Sequence, residues 1–237
     1  MDKVKYAIIV AGGSGNRFGT VTPKQFQILS GKPILMHSIQ TFNSADNNTK
    51  IIVVLPNDTI QLWGELVAEY SFNIEHEVVA GGASRTESVM NGLAKVRNDN
   101  SVVAIHDGVR PMVTAEIINE AYDTADRLGS AVPAIAVTDT VRIKGDDGLE
   151  SVTLDRSRLV GVQTPQTFRT EEIKRAYDMM VNSENKGAIF TDDASVYECF
   201  PVRRYVQLIN GSERNIKITH KIDLAVAEIL LANGEII

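Results

Sequence analysis

The chain has 237 residues, with 30 acidic against 24 basic side chains and a net charge of −6. That length suits one large α/β domain or two small ones with a real buried core. The acidic balance excludes a general affinity for nucleic acid or anionic membrane surfaces, so any anion site has to be local. The single cysteine, Cys199, excludes an intrachain disulfide, and no Cys/His cluster has zinc-ligand spacing, which fits a reducing compartment. Cys199 reads as an inert helix residue.

The first apolar run, Tyr6–Val10, predicts a strand. Ala7 to Ala11 is too short for a secretory signal, and no stretch approaches a membrane span, so a cytoplasmic protein without membrane partners is expected. Further β-branched runs at Ile51–Leu55, Glu77–Val79, Val102–Ile105 and Ala131–Val137 predict strands. They are apolar at successive positions rather than alternately, which is the pattern of parallel strands covered on both faces. Helical spacing occupies Ile34–Phe42, Thr59–Tyr70, Arg85–Val96 and Ala115–Leu128, and "SRTE" places Ser84 and Glu87 as a capping box for the third of these.

From Thr138 to Leu159 the pattern turns polar, with short strands around a Gly-Asp-Asp-Gly turn. This stretch has too few apolar residues for its own core and reads as a hairpin arm, 138–159, in need of a partner surface. Val160–Gln163 and Val206–Ile209 predict further strands, and Glu171–Met180, Asp193–Cys199 and Ile222–Leu231 further helices. With no internal repeat and no low-complexity linker, 1–237 is expected to be one α/β domain: a Rossmann-like, mostly parallel sheet flanked by helices, with the arm inserted in it.

The stretch after the first strand, "AGGSGNRFGTVTPK", invites the two familiar phosphate motifs. The dinucleotide fingerprint fails because Phe18 stands where its third glycine belongs, and the P-loop pattern fails because Arg17, Phe18 and Thr20 occupy the places of its second glycine. What remains is a longer glycine-rich turn with its own cations. Its glycines let the backbone approach an anion and aim N–H groups at it, while Arg17 and Lys24 supply full charge. Pro23 stiffens the backbone just before Lys24. The same residues also read as a plain strand-to-helix connection with solvated cations.

"AGGSGNRFGTVTPKQFQILSGKPIL" resembles the N-terminal signature of the sugar-phosphate nucleotidyltransferases, and its "PKQF" and "GKPIL" segments are similar to the 2-C-methyl-D-erythritol 4-phosphate cytidylyltransferase family. The likeness continues in family order through "GGASRTESVMNGL", "HDGVRP", "DTV", "TPQTF", "TDDAS" and "NIKIT", nearly the whole chain. Where many relatives carry alanine this chain has Gly108, which touches backbone stiffness rather than chemistry. The resemblance implies transfer of CMP from CTP to a polyol phosphate with release of pyrophosphate. The nucleophile, a phosphate oxygen, is already anionic, so the site has to supply charge neutralisation and in-line alignment rather than a base.

On matching positions the resemblance implies that Arg17, Lys24 and Lys217 are catalytic, the first two on the triphosphate and the last near the transferring phosphate. Ala11, Gly12, Gly13, Gly15, Gly82, Ser88 and Asp107 would bind the nucleotide, with Gly81, Gly82 and Ser88 as the floor under cytosine. Asp107, Arg110, Thr140, Arg156, Thr164 and Lys217 would bind the acceptor. No protein-built metal site is implied; Mg²⁺ would bridge phosphate oxygens and complete its shell largely with water. The family's members are homodimers in which the arm clasps the neighbour, so Thr140 and Arg156 would serve the partner's site. Plainer readings remain for several pieces: a capped helix for "GGASRTES", a structural hydrogen-bonded pair for His106 and Asp107, an exposed strand lysine for Lys217, and Arg156 paired to Asp155 or Asp146. Two other functions also remain, a ribitol-5-phosphate cytidylyltransferase and a catalytically silent nucleotide-binding protein. "AVPAIAVTDTVR" and "TDDASVYE" favour the methylerythritol branch.

Overall fold

The computed structural model describes residues 3–12, 22–182, 190–199 and 205–232. The chain opens with β1 (Val4–Val10), the short ribbon β2 (Ile28–Leu29) and β3 (Lys32–Pro33), then α1 (Ile34–Ala45) and β4 (Lys50–Leu55). It continues through α2 (Ile60–Glu69), β5 (Glu77–Ala80), α3 (Arg85–Leu93), β6 (Ser101–Asp107), α4 (Ala115–Leu128) and β7 (Ser130–Ala136). The hairpin β8 (Arg142–Lys144) and β9 (Ser151–Thr153) follows, then β10 (Val160–Val162), β11 (Gln166–Arg169), α5 (Thr170–Asn182), α6 (Asp193–Glu198), β12 (Leu208–Asn210) and α7 (Lys221–Ala232).

The central sheet runs in the order β10-β7-β11-β6-β1-β4-β5, with β12 also on β7. β6, β1, β4 and β5 are mutually parallel, and the apolar runs of β6, β1 and β4 are buried on both faces because helices cover both, while the edge strand β5 buries only Val79. Successive side chains of a strand point to opposite faces, so each run divides between two cores. Ala7, Ile9, Ile51, Val53 and Ala104 pack with Leu35 of α1, Trp63 of α2 and Ile118 of α4. Tyr6, Ile8, Ile52, Val54 and Ile105 pack with Val89 of α3 and Ile173 of α5. Each fully buried Leu, Ile or Phe of these cores contributes roughly 1.5–3 kcal/mol.

The sheet departs from the parallel expectation at one end. β11 inserts antiparallel between β6 and β7, and β10 is antiparallel to β7. "QTFR" carries one large apolar residue, Phe168, and lies in none of the runs that predict a strand, yet Gln166 and Thr167 are buried with it. The Gln166 amide is held by partners far along the chain, bonding the Ala194 N–H and the Asp192 carboxylate, whereas the buried Thr167 hydroxyl has no hydrogen-bond partner among the described residues. The capping box at the start of α3 is half formed. Ser84 Oγ accepts the Glu87 N–H at 3.1 Å, but the Glu87 carboxylate accepts the Ala83 N–H at 2.8 Å rather than that of Ser84. The chain turns so tightly at Gly82 that a Cβ there would lie 2.3 Å from Glu87 Cβ, and this turn brings the Ala83 N–H to the carboxylate. A complete capping box, Asp192 with Ser195, opens α6 instead. α6 ends at Glu198, leaving Cys199 as its exposed C-cap residue.

The expected hairpin is present: Arg142 to Lys144 pairs with Ser151 to Thr153 around a turn in which Gly148 has φ +72°. All six strand residues of the hairpin are exposed. Among the described residues no helix is long and apolar enough to cross a membrane.

Candidate active site

β1 and β6 are level at their carboxyl ends, Val10 lying opposite Asp107. There the Gly108 N–H bonds the Val10 carbonyl at 2.9 Å, the Ala11 N–H bonds that of Val54 at 2.9 Å, and the Gly81 N–H bonds that of Leu55 at 2.7 Å. A cavity of about 190 Å³ opens beyond these strand ends. Ala11 and Gly12 form one wall, Lys24 and Gln25 a second, Gly82 to Arg85 with Ser88 a third, and Asp107, Val109 and Lys217 the fourth. Open α/β sheets hold ligands at this edge, where the chain leaves the sheet in loops.

Asp107 is the centre of the charge. Its Oδ2 lies 2.9 Å from Lys217 Nζ and 3.5 Å from Arg110 Nε, and its Oδ1 lies 3.6 Å from Arg85 Nε. Burial alone would raise its pKa, but Lys217, then Arg85 and Arg110, hold the carboxyl well below the usual range, so it is ionised. Its backbone is fixed from behind. The Asp107 N–H donates to Thr164 Oγ1 at 3.1 Å, and that hydroxyl lies 3.1 Å from His106 Nδ1. His106 Nε2 lies 3.1 Å from the Arg110 carbonyl, so the ring donates there and accepts from Thr164. His106 is fully buried, and that burial pushes its pKa down to about 4, keeping it neutral. His106 therefore partners Thr164 and a backbone carbonyl rather than the Asp107 carboxylate.

Lys217 is positioned by the strand-like segment ahead of α7, where the Ile218 N–H donates to the Val109 carbonyl at 2.9 Å. The buried Asn215 donates from Nδ2 to the Thr164 carbonyl at 2.9 Å, and its own carbonyl accepts Arg110 Nη1 at 2.7 Å. Arg110 thus ties Asp107 to the Lys217 segment from behind the cavity, which it does not line. Burial lowers its pKa.

Of the residues expected from sequence, Ala11, Gly12, Lys24, Gly82, Ser88, Asp107 and Lys217 line one cavity, with Thr164 and Arg110 directly behind Asp107. Arg17, Gly13 and Gly15 lie outside the described residues. The Ser88 hydroxyl donates to the Ser84 carbonyl at 2.8 Å and accepts the Gly82 N–H at 3.1 Å, so it shapes the loop it was expected to share with a base. Thr140 and Arg156 do not line the cavity. Arg156 donates to the Thr138 carbonyl, while the Asp155 carboxylate takes the Ser157 N–H and hydroxyl.

Three residues here escaped the sequence reading. Arg85 joins the cavity to α6, its Nη1 and Nη2 gripping the two oxygens of the fully buried Asp193 at 3.1 and 2.6 Å. Asp193 also accepts the Tyr177 hydroxyl at 2.6 Å. Gln25 is 1% exposed and neither polar atom of its amide has a hydrogen-bond partner among the described residues. Arg85 and Asp193 stand in the quoted segments "SRTE" and "TDDAS", so the available signal was a cation and a carboxylate in two matched motifs.

Among the described residues Asp107 is the only carboxylate lining the cavity, and no group of three His, Cys, Asp or Glu could hold a metal. The chain therefore fits a hard cation that takes at most one oxygen from the protein and the rest from ligand and water.

A model of the family described as 2-C-methyl-D-erythritol 4-phosphate cytidylyltransferase matches residues 5–233. The chain belongs to this family. It is 46% identical over 233 residues to the 2-C-methyl-D-erythritol 4-phosphate cytidylyltransferase of Porphyromonas gingivalis, covering 98% of this chain and 100% of that one. With the protein of the same name from Bacteroides thetaiotaomicron it shares 43% identity, covering 94% and 98%. The fold is similar to that of the crystal structure of 4-diphosphocytidyl-2C-methyl-D-erythritol synthase from Anaerococcus prevotii, with a TM-score of 0.82 at 27% identity over 97% and 96% of the two chains. Membership of the cytidylyltransferase family accounts for a site that, among the described residues, gathers cations around the ionised, ion-paired Asp107.

Proposed function

We propose that this chain transfers CMP from CTP to 2-C-methyl-D-erythritol 4-phosphate in isoprenoid biosynthesis. An oxygen of the 4-phosphate attacks the α-phosphorus of CTP. A new phosphoanhydride bond forms there, the bond from the α-phosphorus to the β-phosphate oxygen breaks, and pyrophosphate leaves with that electron pair. No proton has to be moved, since the attacking oxygen is already an anion. The observation that carries this reading is the convergence of Lys24, Lys217 and Arg85 with the ionised Asp107 on one cavity.

In this reading Lys24 and Arg17 neutralise the triphosphate and the developing charge at phosphorus, and Lys217 draws the attacking phosphate toward it. Ala11, Gly12, Gly13, Gly15, Gly82 and Ser88 cradle the nucleoside. Asp107 and Thr164 orient the acceptor, and Arg110 supports them. Mg²⁺ would be held mainly by the triphosphate and water, with Asp107 as the one cavity carboxylate among the described residues that could contribute an oxygen, and it would supply charge neutralisation of the triphosphate. Because Thr140 and Arg156 stand apart from the cavity of their own chain, the proposed homodimer brings the 138–159 arm of one subunit of this single-domain protein to the other's acceptor site. Leu149, Val152 and Ile143 give that arm exposed apolar surface.

Pyrophosphate release measured with CTP and Mg²⁺ tests the reading. Turnover with 2-C-methyl-D-erythritol 4-phosphate well above that with ribitol 5-phosphate is expected. Equal or reversed preference, or CTP binding without pyrophosphate from either acceptor, overturns it.

A further inference from the structure

Lys217 has two claims on it. Its ammonium lies 2.9 Å from Asp107 Oδ2 in the free protein, and the reaction proposed above draws it to the phosphate that attacks. A lysine shared in this way cannot hold the carboxylate with full strength while transfer takes place. Arg110 does not replace it, because its Nε faces the same oxygen, Oδ2, at 3.5 Å and its Nη1 is committed to the Asn215 carbonyl.

Arg85 alone among these cations faces the other oxygen, with Nε 3.6 Å from Oδ1. It is also held independently of any substrate. Its two terminal nitrogens grip Asp193, which has no exposed surface and takes the Tyr177 hydroxyl as well. The planar fork of a guanidinium fixes the direction of Nε once Nη1 and Nη2 are bound. Charge and direction are therefore set before any ligand arrives.

We propose that Arg85 is the positioning residue for Asp107: it holds the carboxylate through Oδ1 while Lys217 leaves Oδ2 for the attacking phosphate. This rests on the cytidylyltransferase reading. The plainer role is that Arg85 only staples the start of α3 to α6, through a pair 108 residues apart in sequence.

The two roles separate in a comparison of variants. Asp193→Asn weakens the staple and loosens the direction of Arg85 but leaves its charge beside Asp107, so its Tm falls and its kcat falls only a few-fold. Arg85→Met combined with Asp193→Asn removes both charges and leaves no buried ion unpaired. Its Tm should lie close to that of Asp193→Asn, yet its kcat should fall a further 10- to 100-fold, roughly the cost of losing a group that orients a functional ligand. The loss depends on Asp107. In an Asp107→Asn background, followed by single-turnover measurement with enzyme in excess, the same pair of substitutions should change the rate by less than about twofold.

A combined variant that turns over like Asp193→Asn overturns the proposal. So does an equal factor lost in the Asp107→Asn background. Absence of pyrophosphate release from the wild-type enzyme defeats the cytidylyltransferase reading and this role with it. Normal wild-type turnover with all variants alike defeats the role alone.

Discussion

Lowering the pH from 7 to 5 presents a proton to a histidine that the folded chain keeps neutral. His106 is fully buried, and its pKa falls from 6.5 to about 4, chiefly because the charged ring would lose its hydration. In the unfolded chain the same ring titrates near its ordinary value. Between about pH 6.5 and pH 4 the unfolded state therefore binds more protons, and stability falls as pH falls. At pH 5 the unfolded ring is almost fully protonated and the folded one about a tenth, a difference of about 2 kcal/mol, rising to about 3 kcal/mol below pH 4. His37, also pushed down to about 4 by burial, adds loss of the same sign. Asp107 has its pKa held low and stays ionised throughout this window. His106→Gln isolates the term, since a carboxamide can donate to the Arg110 carbonyl and accept from Thr164 without titrating. Urea unfolding at pH 7 and pH 5, with unchanged m values, should show a wild-type loss larger than the variant's by about 2 kcal/mol. Equal losses in the two proteins would refute the assignment of a neutral, buried His106.

Three further substitutions address the cavity. Lys24→Ala and Lys217→Ala should each lower kcat by about 10²- to 10³-fold with the fold intact, as loss of one charge-stabilising donor does elsewhere; turnover within a factor of two of wild type in pyrophosphate release would remove either lysine from the transfer step. Gln25→Met takes away an amide whose oxygen and nitrogen are both buried without partners, and replaces it with an apolar chain of similar size. Its thermal midpoint without ligand should match or exceed that of the wild type, because a buried unsatisfied polar group costs roughly 1–3 kcal/mol. A clear drop would show that the amide is satisfied in solution.

The parallel half of the sheet was legible because burial on two faces leaves a signature no other element shares: Ile8, Ile9, Val53 and Val54 are apolar at successive positions and have at most traces of exposed surface. α4 was legible to its last residue, since Thr114 accepts the Ile117 N–H at its start and Gly129, at φ +101°, ends it. β11 was not. Its place depends on the buried Gln166 finding partners at the start of α6, and a polar residue's partner is invisible to periodicity. The same limit hid the site's second tier. Asp107 could be expected from its place at the end of a buried strand, and Lys217 from its motif. Nothing local to Arg85 distinguishes it from a solvated arginine in the first turn of a helix; its role depends on Asp193, which only the fold brings to it.

The arrangement around Asp107 also explains why an acidic chain can hold a phosphate-transfer site. Lys217, Arg110 and Arg85 all lie within 3.6 Å of one carboxylate, and without it they would repel one another across a buried space. The carboxylate lets the cations gather before any phosphate arrives, and Asp193 takes up the remaining demand of Arg85. An incoming phosphate then meets charge already in place and has only to compete with Asp107 for Lys217, the most exposed of the three side chains, at 42%. Recruiting the accessible lysine while the two arginines stay fixed is the least costly rearrangement available. In the proposed reaction it would direct the attacking phosphate to Lys217, so the net charge of the whole chain has little bearing on the chemistry at its centre.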